Sequence, residues 1–155
     1  MKNKKGYTLV NFCEFDKYAS ESYCAIHGVD PDLNLGDITQ VNEKEIDDFN
    51  MMVFGFPCQP FSVAGKQDGF NDIRGTMFFE AWRILKEKRP KIFIFENVSN
   101  LLGHDNEKTI KTILKKIGEL DCEITMDLLN SKDFGVPQNR LRLFCIGRLK
   151  ETGKQ

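Results

Sequence analysis

The sequence predicts an α/β protein built on a mostly parallel sheet with flanking helices. Three apolar runs, at 51–54, 92–95 and 143–146, have the length and composition of buried strands. Two segments between these runs, 76–88 and 107–120, carry apolar residues at the three-and-four spacing of an amphipathic helix. Because strands that alternate with helices are typical of parallel sheets, these observations together predict the fold class.

The first elements lie before the first of these runs. Residues 7–13 are rich in apolar side chains and predict a strand. Residues 16–27 predict a helix that ends at Gly28, a residue common just past helix ends. The apolar residues that share one face of this helix are Tyr18, Ala19, Tyr23 and Ile26.

The later elements follow from the same patterns. The predicted strands are 35–39, which is short, then 51–56, 92–96, 123–129 and 142–147. The predicted helices are 42–48, which is a short helix or a turn, then 76–88 and 107–120. The segment 57–75 contains three glycines and predicts a long loop, a feature that is uncommon and often forms a functional lid.

Composition excludes several classes of protein. The 155 residues are enough for one domain, and no apolar run approaches the roughly 20 residues of a membrane span. The five cysteines form no C-x-x-C pair, so the sequence predicts no metal site, and their odd number argues against a disulfide framework. No signal-peptide core follows the first lysines, so we expect a cytoplasmic protein. The net charge of −1 does not indicate a basic surface.

Cys58 is the candidate nucleophile. It lies in the sequence Gly-Phe-Pro-Cys-Gln-Pro-Phe-Ser (55–62), directly after an apolar strand, where an α/β protein presents reactive groups. Pro57 and Pro60 end the strand there, whereas the other four cysteines lie within helix or strand patterns and are expected to be buried.

Three charged residues lie near the ends of other strands. Glu96 follows the apolar run 92–95 and is the candidate acid. Arg140 and Arg142 precede the last apolar run and are candidates for holding a planar, electron-rich ligand or a phosphate. A thiol, an acid and two arginines are therefore expected near one edge of the sheet.

Three motifs together resemble the DNA (cytosine-5) methyltransferases of bacterial restriction-modification systems. The motifs are Pro57-Cys58-Gln59, Glu96-Asn97-Val98, and Gln-x-Arg-x-Arg at 138–142, and the resemblance covers nearly the whole chain in order. It implies a Rossmann-like methyltransferase fold. It also implies that Cys58 attacks C6 of cytosine, that Glu96 contacts N3 and N4, and that Arg140 and Arg142 hold the base.

The same resemblance implies an S-adenosylmethionine cofactor and a double-stranded DNA substrate. The residues implied to bind the cofactor are Glu14 on the ribose, Phe15 against the adenine, Asp37 on its amine, Ile38 on its face, and Pro57. The residues implied to contact DNA from a closing loop are Gln59, Ser62, Lys66, Gln67 and Arg74.

Parts of the family pattern are not found in the sequence, so residues 1–155 are expected to form a partial catalytic domain. The family's first strand, with its Phe-x-Gly-x-Gly turn, is expected to be lacking, as are the target-recognition region and the C-terminal helix. We expect activity to require these segments, in the same chain or from a complementing one.

Several alternatives stay open at this point. The chain is also consistent with an inactive remnant, one subunit of a split enzyme, or a tRNA-directed member of the family. A thiol hydrolase would need a histidine base, and only His27 and His104 are available. Neither lies at a strand end like that of Cys58, which argues against this class.

Overall fold

A computed structural model describes residues 6–57 and 77–150. The chain forms two compact units, Met1–Phe49 and Asn50–Gln155. Each unit is described by itself.

The first unit is organised by helix α1 (Lys17–His27), as the sequence predicts. The Asp16 side chain accepts a hydrogen bond from the backbone N–H of Ala19 and so caps the first turn. Gly28 ends the helix in the left-handed conformation (φ 60°), which glycine adopts without a steric cost. The predicted end at Gly28 is confirmed, and the helix begins one residue after the predicted start, because Asp16 is its N-cap.

The predicted buried face of α1 is wrong. Tyr18 and Ile26 are 75% and 77% exposed, whereas Cys24 is buried. The ring of Tyr23 packs against those of Phe12 and His27, with centroids 4.7 and 4.6 Å apart. The helix therefore packs through its Tyr23–Cys24 side, because the neighbouring segment meets it there.

Two predicted strands in this unit do not form. Instead of a ladder along 7–13, the segment makes isolated bridges, among them a parallel one between Phe12 and Asn34. Residues 35–39 contain no strand, because the Asp37 side chain accepts from the N–H of Thr39 and starts a 3-10 turn at Ile38–Gln40. Such local side-chain bonds compete with strand pairing. The segment 42–48 contains a turn, as predicted.

The second unit contains a four-stranded sheet in the order β1-β2-β4-β3. The strands are β1 (Met51–Gly55), β2 (Ile92–Val98), β3 (Cys122–Asn130) and β4 (Leu141–Leu149). β1 and β2 are parallel, whereas β4 is antiparallel to both of its neighbours, β2 and β3.

The sheet is thus mixed, which corrects the expected mostly parallel pairing. Three strands run in one direction, but only one neighbouring pair is parallel. The connection at 131–140 is the physical reason, since a parallel crossover needs about a dozen residues or more and a shorter link favours an antiparallel pair.

Two helices of this unit contribute to the core, α2 (Met77–Lys88) and α3 (Lys108–Gly118). Both lie within the predicted helical segments and bury the apolar faces that the spacing indicates. The indole N–H of Trp82 donates to the carbonyl of Lys116 (3.0 Å), which links α2 to α3. The fully buried core residues include Phe78, Leu85, Phe93, Phe95, Ile113, Ile117, Leu143 and Cys145.

Within the described residues, β1 forms one edge of the sheet. Its central residue Val53 is 65% exposed although the strand is apolar throughout. None of the helices in the described part of the chain is long and apolar enough to cross a membrane.

We predict that Gly147→Ala destabilises the sheet. Gly147 lies directly opposite Phe93 in the β2–β4 pair, and a Cβ at this position would overlap the buried Phe93 ring. Forcing an extra methyl into a packed core costs about 1–3 kcal/mol. Urea denaturation should therefore show a lower midpoint.

Gly118→Ala is the matched control, because a Cβ at this helical position meets no atom within 4 Å. It should leave stability unchanged or raise it by about 0.5–1 kcal/mol. Equal midpoints for Gly147→Ala and the unaltered chain would contradict the packing described.

Candidate active site

The ends of β1 and β2 bring the first two motifs together. The strands are parallel, and Gly55 is the register partner of Glu96. After β1, the side-chain N–H of Asn97 donates to the carbonyl of Phe56 (2.8 Å). Asn97 is only 3% exposed, so this bond fixes the backbone immediately before Pro57. The sequence motif contained Asn97, but its role becomes evident only from this contact.

The predicted acid and one predicted arginine form an ion pair. Nε of Arg142 lies 2.8 Å from Oε1 of Glu96. Arg142 on β4 is the register partner of Val98. Val98 lies two residues beyond Glu96 on β2. Both side chains are partly exposed, at 22% and 37%, so the pair adds little to stability. Its position points instead to a role in binding or chemistry.

This ion pair lies in a cleft of about 350 Å³. The residues that line it are Glu96, Leu129, Asn130, Ser131, Phe134, Arg140, Arg142 and Phe144. Charged groups thus face a cavity with aromatic walls, an arrangement suited to a flat polar ring. His104 does not line the cleft, and its Nδ1 is hydrogen-bonded to Thr109 (2.8 Å). The arrangement therefore gives no support to a thiol–histidine hydrolase.

The connection between β3 and β4 sets the position of Arg140. Oδ1 of Asn130 accepts from the N–H of Arg140 (3.0 Å), and the hydroxyl of Ser131 donates to the carbonyl of Gln138 (2.6 Å). Sequence reasoning missed Asn130, Ser131 and Phe134 as cleft residues. An Asn-Ser pair at a strand end is a turn signal that could have indicated the first two.

In the first unit, the structure brings together the two segments that the resemblance assigned to the cofactor. Oδ1 of Asn34 accepts from the N–H groups of both Glu14 (3.0 Å) and Gly36 (2.9 Å). Glu14 is half-buried, and the ring of Phe15 beside it is 83% exposed. Asp37 and Ile38 follow Gly36 directly.

Six predicted site residues lie outside the described part of the chain. They are Cys58, Gln59, Ser62, Lys66, Gln67 and Arg74. Their assignments stay predictions.

The described cysteines differ from one another in exposure. Cys145 is fully buried in the core, and burial raises the pKa of its thiol to about 12, with a smaller contribution from Cys122. Burial also raises the pKa of Cys122, helped by the charge of Asp121. Cys24 is buried and Cys13 is exposed. The expectation that the other cysteines are buried thus holds for Cys24 and Cys145, applies only in part to Cys122, and is wrong for Cys13.

A family comparison agrees with this arrangement. Residues 2–155 match the family described as C-5 cytosine-specific DNA methylase. The chain belongs to this family. The family resemblance of the three motifs is therefore confirmed, and the cleft with Glu96 and Arg142 lies in the matched C-5 cytosine methylase region.

Methyltransferases of phages and bacteria are among the most similar relatives of this C-5 methylase chain. It is 51% identical over 142 residues to the orphan methyltransferase M.SPRI of Bacillus phage SPR, matching 92% of the chain and 32% of the relative. It is 48% identical over 133 residues to the type II methyltransferase M.HhaI of Haemophilus parahaemolyticus, matching 86% of the chain and 40% of the relative. The chain thus spans well under half the length of each.

Solved methyltransferase structures show the same fold. Dnmt2 methyltransferase of S. pombe aligns over 96% of this chain and 45% of its own, with a TM-score of 0.71 and 24% identity. A Spodoptera frugiperda DNMT2 mutant aligns over 94% and 44%, with a TM-score of 0.72 and 25% identity. The predicted Rossmann-like α/β fold is confirmed.

We predict that Cys145 resists alkylation in the folded chain. A thiol with a pKa of about 12 is thiolate in only about one molecule in 10⁴ at pH 8, and it is also shielded by the core. Iodoacetamide followed by peptide mass spectrometry should show Cys145 reacting at least about a hundredfold more slowly than exposed Cys13. Similar rates in the folded chain would contradict this burial.

The same shift predicts a pH dependence of stability. The pKa of Cys145 is raised on folding from its ordinary value of 9.0 to about 12. The contribution of the protonated Cys145 thiol to the free energy of unfolding is therefore fully present below pH 9. It is lost as the pH rises from 9 toward 12. Cys145→Ala should flatten this part of the stability profile.

Proposed function

We propose that this chain carries the catalytic groups of a DNA cytosine-5 methyltransferase of the restriction-modification type. The observation that carries the proposal is the Glu96–Arg142 ion pair in its cleft. This pair lies next to the end of β1, because Gly55, the last residue of β1, is the register partner of Glu96. In the sequence, Gly55 precedes Cys58 by three residues. We propose a cytoplasmic location, which the similarity to a bacterial type II methyltransferase supports.

The proposed reaction begins at Cys58. Its thiolate adds to C6 of cytosine, and the electron pair of the C5–C6 double bond becomes available at C5. S-adenosylmethionine, when bound, supplies the electrophilic methyl group that C5 takes, and its sulfur–methyl bond breaks to leave S-adenosylhomocysteine. Loss of the C5 proton to a base then restores the double bond and expels the Cys58 thiolate, so the protein is regenerated.

Glu96 and Arg142 act on the opposite side of the ring. Addition at C6 increases electron density at N3, and the Glu96 carboxyl group hydrogen-bonds N3 and accepts from the exocyclic amine. A guanidinium has five N–H donors. In the present structure two of those of Arg142 contact Glu96 and the carbonyl of Leu141, and the others are suited to O2 of the base. Arg140, in the same cleft, supports the base or a phosphate.

The first unit fits the adenosine part of S-adenosylmethionine. Glu14 supplies a carboxylate for the ribose hydroxyls, and the exposed ring of Phe15 offers an apolar face to the adenine. We assign Asp37 to the adenine amine, Ile38 to its face and Pro57 to the same cofactor.

The proposed substrate is double-stranded DNA with the target cytosine turned out of the helix, since the reacting atoms are otherwise covered by stacking. We assign DNA contacts to Gln59, Ser62, Lys66, Gln67 and Arg74. Sequence choice and full activity are proposed to need segments like those that the relatives have outside the matched region, in the same chain or in a complementing one.

The nucleophile is tested in a completed enzyme, defined as this chain joined to the segments of M.HhaI that flank its matched 133 residues. With S-adenosylmethionine added, DNA carrying 5-fluorocytosine at the M.HhaI target should form a stable covalent complex, because after methyl transfer C5 carries fluorine in place of the proton whose loss would expel the Cys58 thiolate. Cys58→Ser should abolish the complex on denaturing gels.

Cys145→Ala is the control, since this thiol lies in the core and should not be needed for trapping. Trapping that persists in Cys58→Ser would refute the nucleophile assignment.

The acid is tested with Glu96→Gln in the same completed enzyme. Losing a positioned acid typically lowers the rate of the chemical step by about 10²–10⁴-fold, so single-turnover methyl transfer should slow by this factor. DNA affinity should change by less than about threefold.

Glu80→Gln is the matched control because Glu80 forms a comparable, partly buried ion pair with Arg83 on α2. It should methylate at the parent rate. A single-turnover methyl-transfer rate for Glu96→Gln that lies within threefold of the rate of the unsubstituted enzyme would contradict the proposed role of Glu96.

A further inference from the structure

Asn34 is connected to the proposed cofactor residues by an unusually complete set of hydrogen bonds. Its Oδ1 accepts from the N–H groups of Glu14 and Gly36, at 3.0 and 2.9 Å. Its Nδ2 donates to the carbonyl of Glu14 and to the hydroxyl of Ser20, both at 2.9 Å. A primary amide offers two N–H donors and one oxygen with two lone pairs, so every position is used.

Both polar groups of the Glu14 backbone are held by this one side chain. Bonds to the N–H and the carbonyl of the same residue restrict its rotation, which a single bond would not do. The Glu14 carboxylate is also fixed, because its Oε1 accepts from the N–H of Asp16 (2.9 Å). The direction in which the carboxylate points is therefore set by Asn34 together with the turn into α1.

Asn34 also links this carboxylate to the second cofactor segment. Gly36 adopts a left-handed conformation (φ 75°) and precedes Asp37, the residue proposed to bind the adenine amine. Ser20 lies on α1, so the same amide joins α1 to both segments. The contacts with Glu14 and Ser20 span 20 and 14 residues of sequence and are tertiary, whereas the bond to Gly36 spans two residues and is local.

We infer that Asn34 is a positioning residue, which orients Glu14 toward the ribose hydroxyls of the cofactor. The inference rests on the proposed function, since it requires Glu14 to bind the ribose. Asn42 of the same unit provides a contrast, because the hydrogen bonds that its side chain makes among the described residues are local, to the Glu45 side chain and the N–H of Lys44. Asn42 closes a local turn, whereas Asn34 holds the proposed binding residue itself.

The test compares two ligands in the completed enzyme, S-adenosylhomocysteine and its 2′-deoxy analogue, by calorimetry. A carboxylate that binds the ribose should make the parent enzyme prefer the hydroxylated ligand by about tenfold or more. Asn34→Ala should weaken binding and reduce this preference below about threefold. Asn42→Ala should keep the parent preference.

The ratio separates positioning from a general loss of folding. A variant that is only partly folded binds both ligands more weakly by the same factor, so the ratio of the two dissociation constants does not change. An Asn34→Ala enzyme with weaker binding but the parent ratio would overturn the inference. If Asn34→Ala does not fold, the inference is tested with Asn34→Asp. This variant keeps the oxygen that accepts from the N–H groups of Glu14 and Gly36 but loses the two N–H donors to the Glu14 carbonyl and the Ser20 hydroxyl. Its ratio should fall below that of the parent, and an unchanged ratio would overturn the inference.

Glu14→Ala distinguishes failure of this inference from failure of the proposed function. If Glu14→Ala loses the preference and the Asn34 variants keep it, only the role of Asn34 is wrong. If Glu14→Ala keeps the preference, or the parent shows none, the proposed ribose contact is wrong and the inference falls with it. Ser20→Ala removes one bond of four and leaves both Glu14 contacts, so it should retain most of the preference.

Discussion

The hydrogen bond from Asn97 to the carbonyl of Phe56 ties the end of β1 to the end of β2. Parallel pairing alone aligns Gly55 with Glu96, but a strand of five residues would leave the chain after it free to diverge. Asn97 prevents this by holding the backbone one residue before Pro57. The amide is buried, so removing it would leave a carbonyl without its partner, at a typical cost of about 1–3 kcal/mol. The contact therefore holds the backbone that leads toward the proposed nucleophile beside the strand that carries Glu96.

The opposite edge of β2 has a different constraint. β4 must approach closely enough for Arg142 to reach Glu96, and the ring of Phe93 occupies the space that a Cβ on Gly147 would need. Glycine at that position leaves room for the ring without separating the strands. A small residue deep in the core therefore supports the ion pair at the sheet's end, several residues away along both strands. Packing and the site's geometry are thus coupled through one pair of strands.

The sequence predicted the second unit better than the first because its elements depend on apolar periodicity. The run at 92–95 begins β2, the run at 143–146 lies at the centre of β4, and the spacing of Ile110, Ile113 and Ile117 gave the buried face of α3. The first unit depends instead on side-chain hydrogen bonds between distant segments, above all those of Asn34. No local pattern reports such bonds, so two strands were predicted where single contacts and capped turns occur. The motifs predicted that Glu96 and Arg142 lie near each other, but no local pattern indicates that Asn34 or Asn97 holds the backbone beside a predicted site residue.

Three asparagines have comparable places in the architecture. Asn34, Asn97 and Asn130 each bond the backbone at or beside a proposed site residue: Glu14, Pro57 and Arg140. Charged groups at a binding site must stay accessible to the ligand, so they cannot be fixed by burial. A second charge can fix them, as Arg142 does for Glu96, but it also competes with the ligand and alters the local field. A neutral amide both donates and accepts, so it can hold a backbone in place without adding charge. The charged residues are then left to face the ligand while their orientation is determined by the residues behind them.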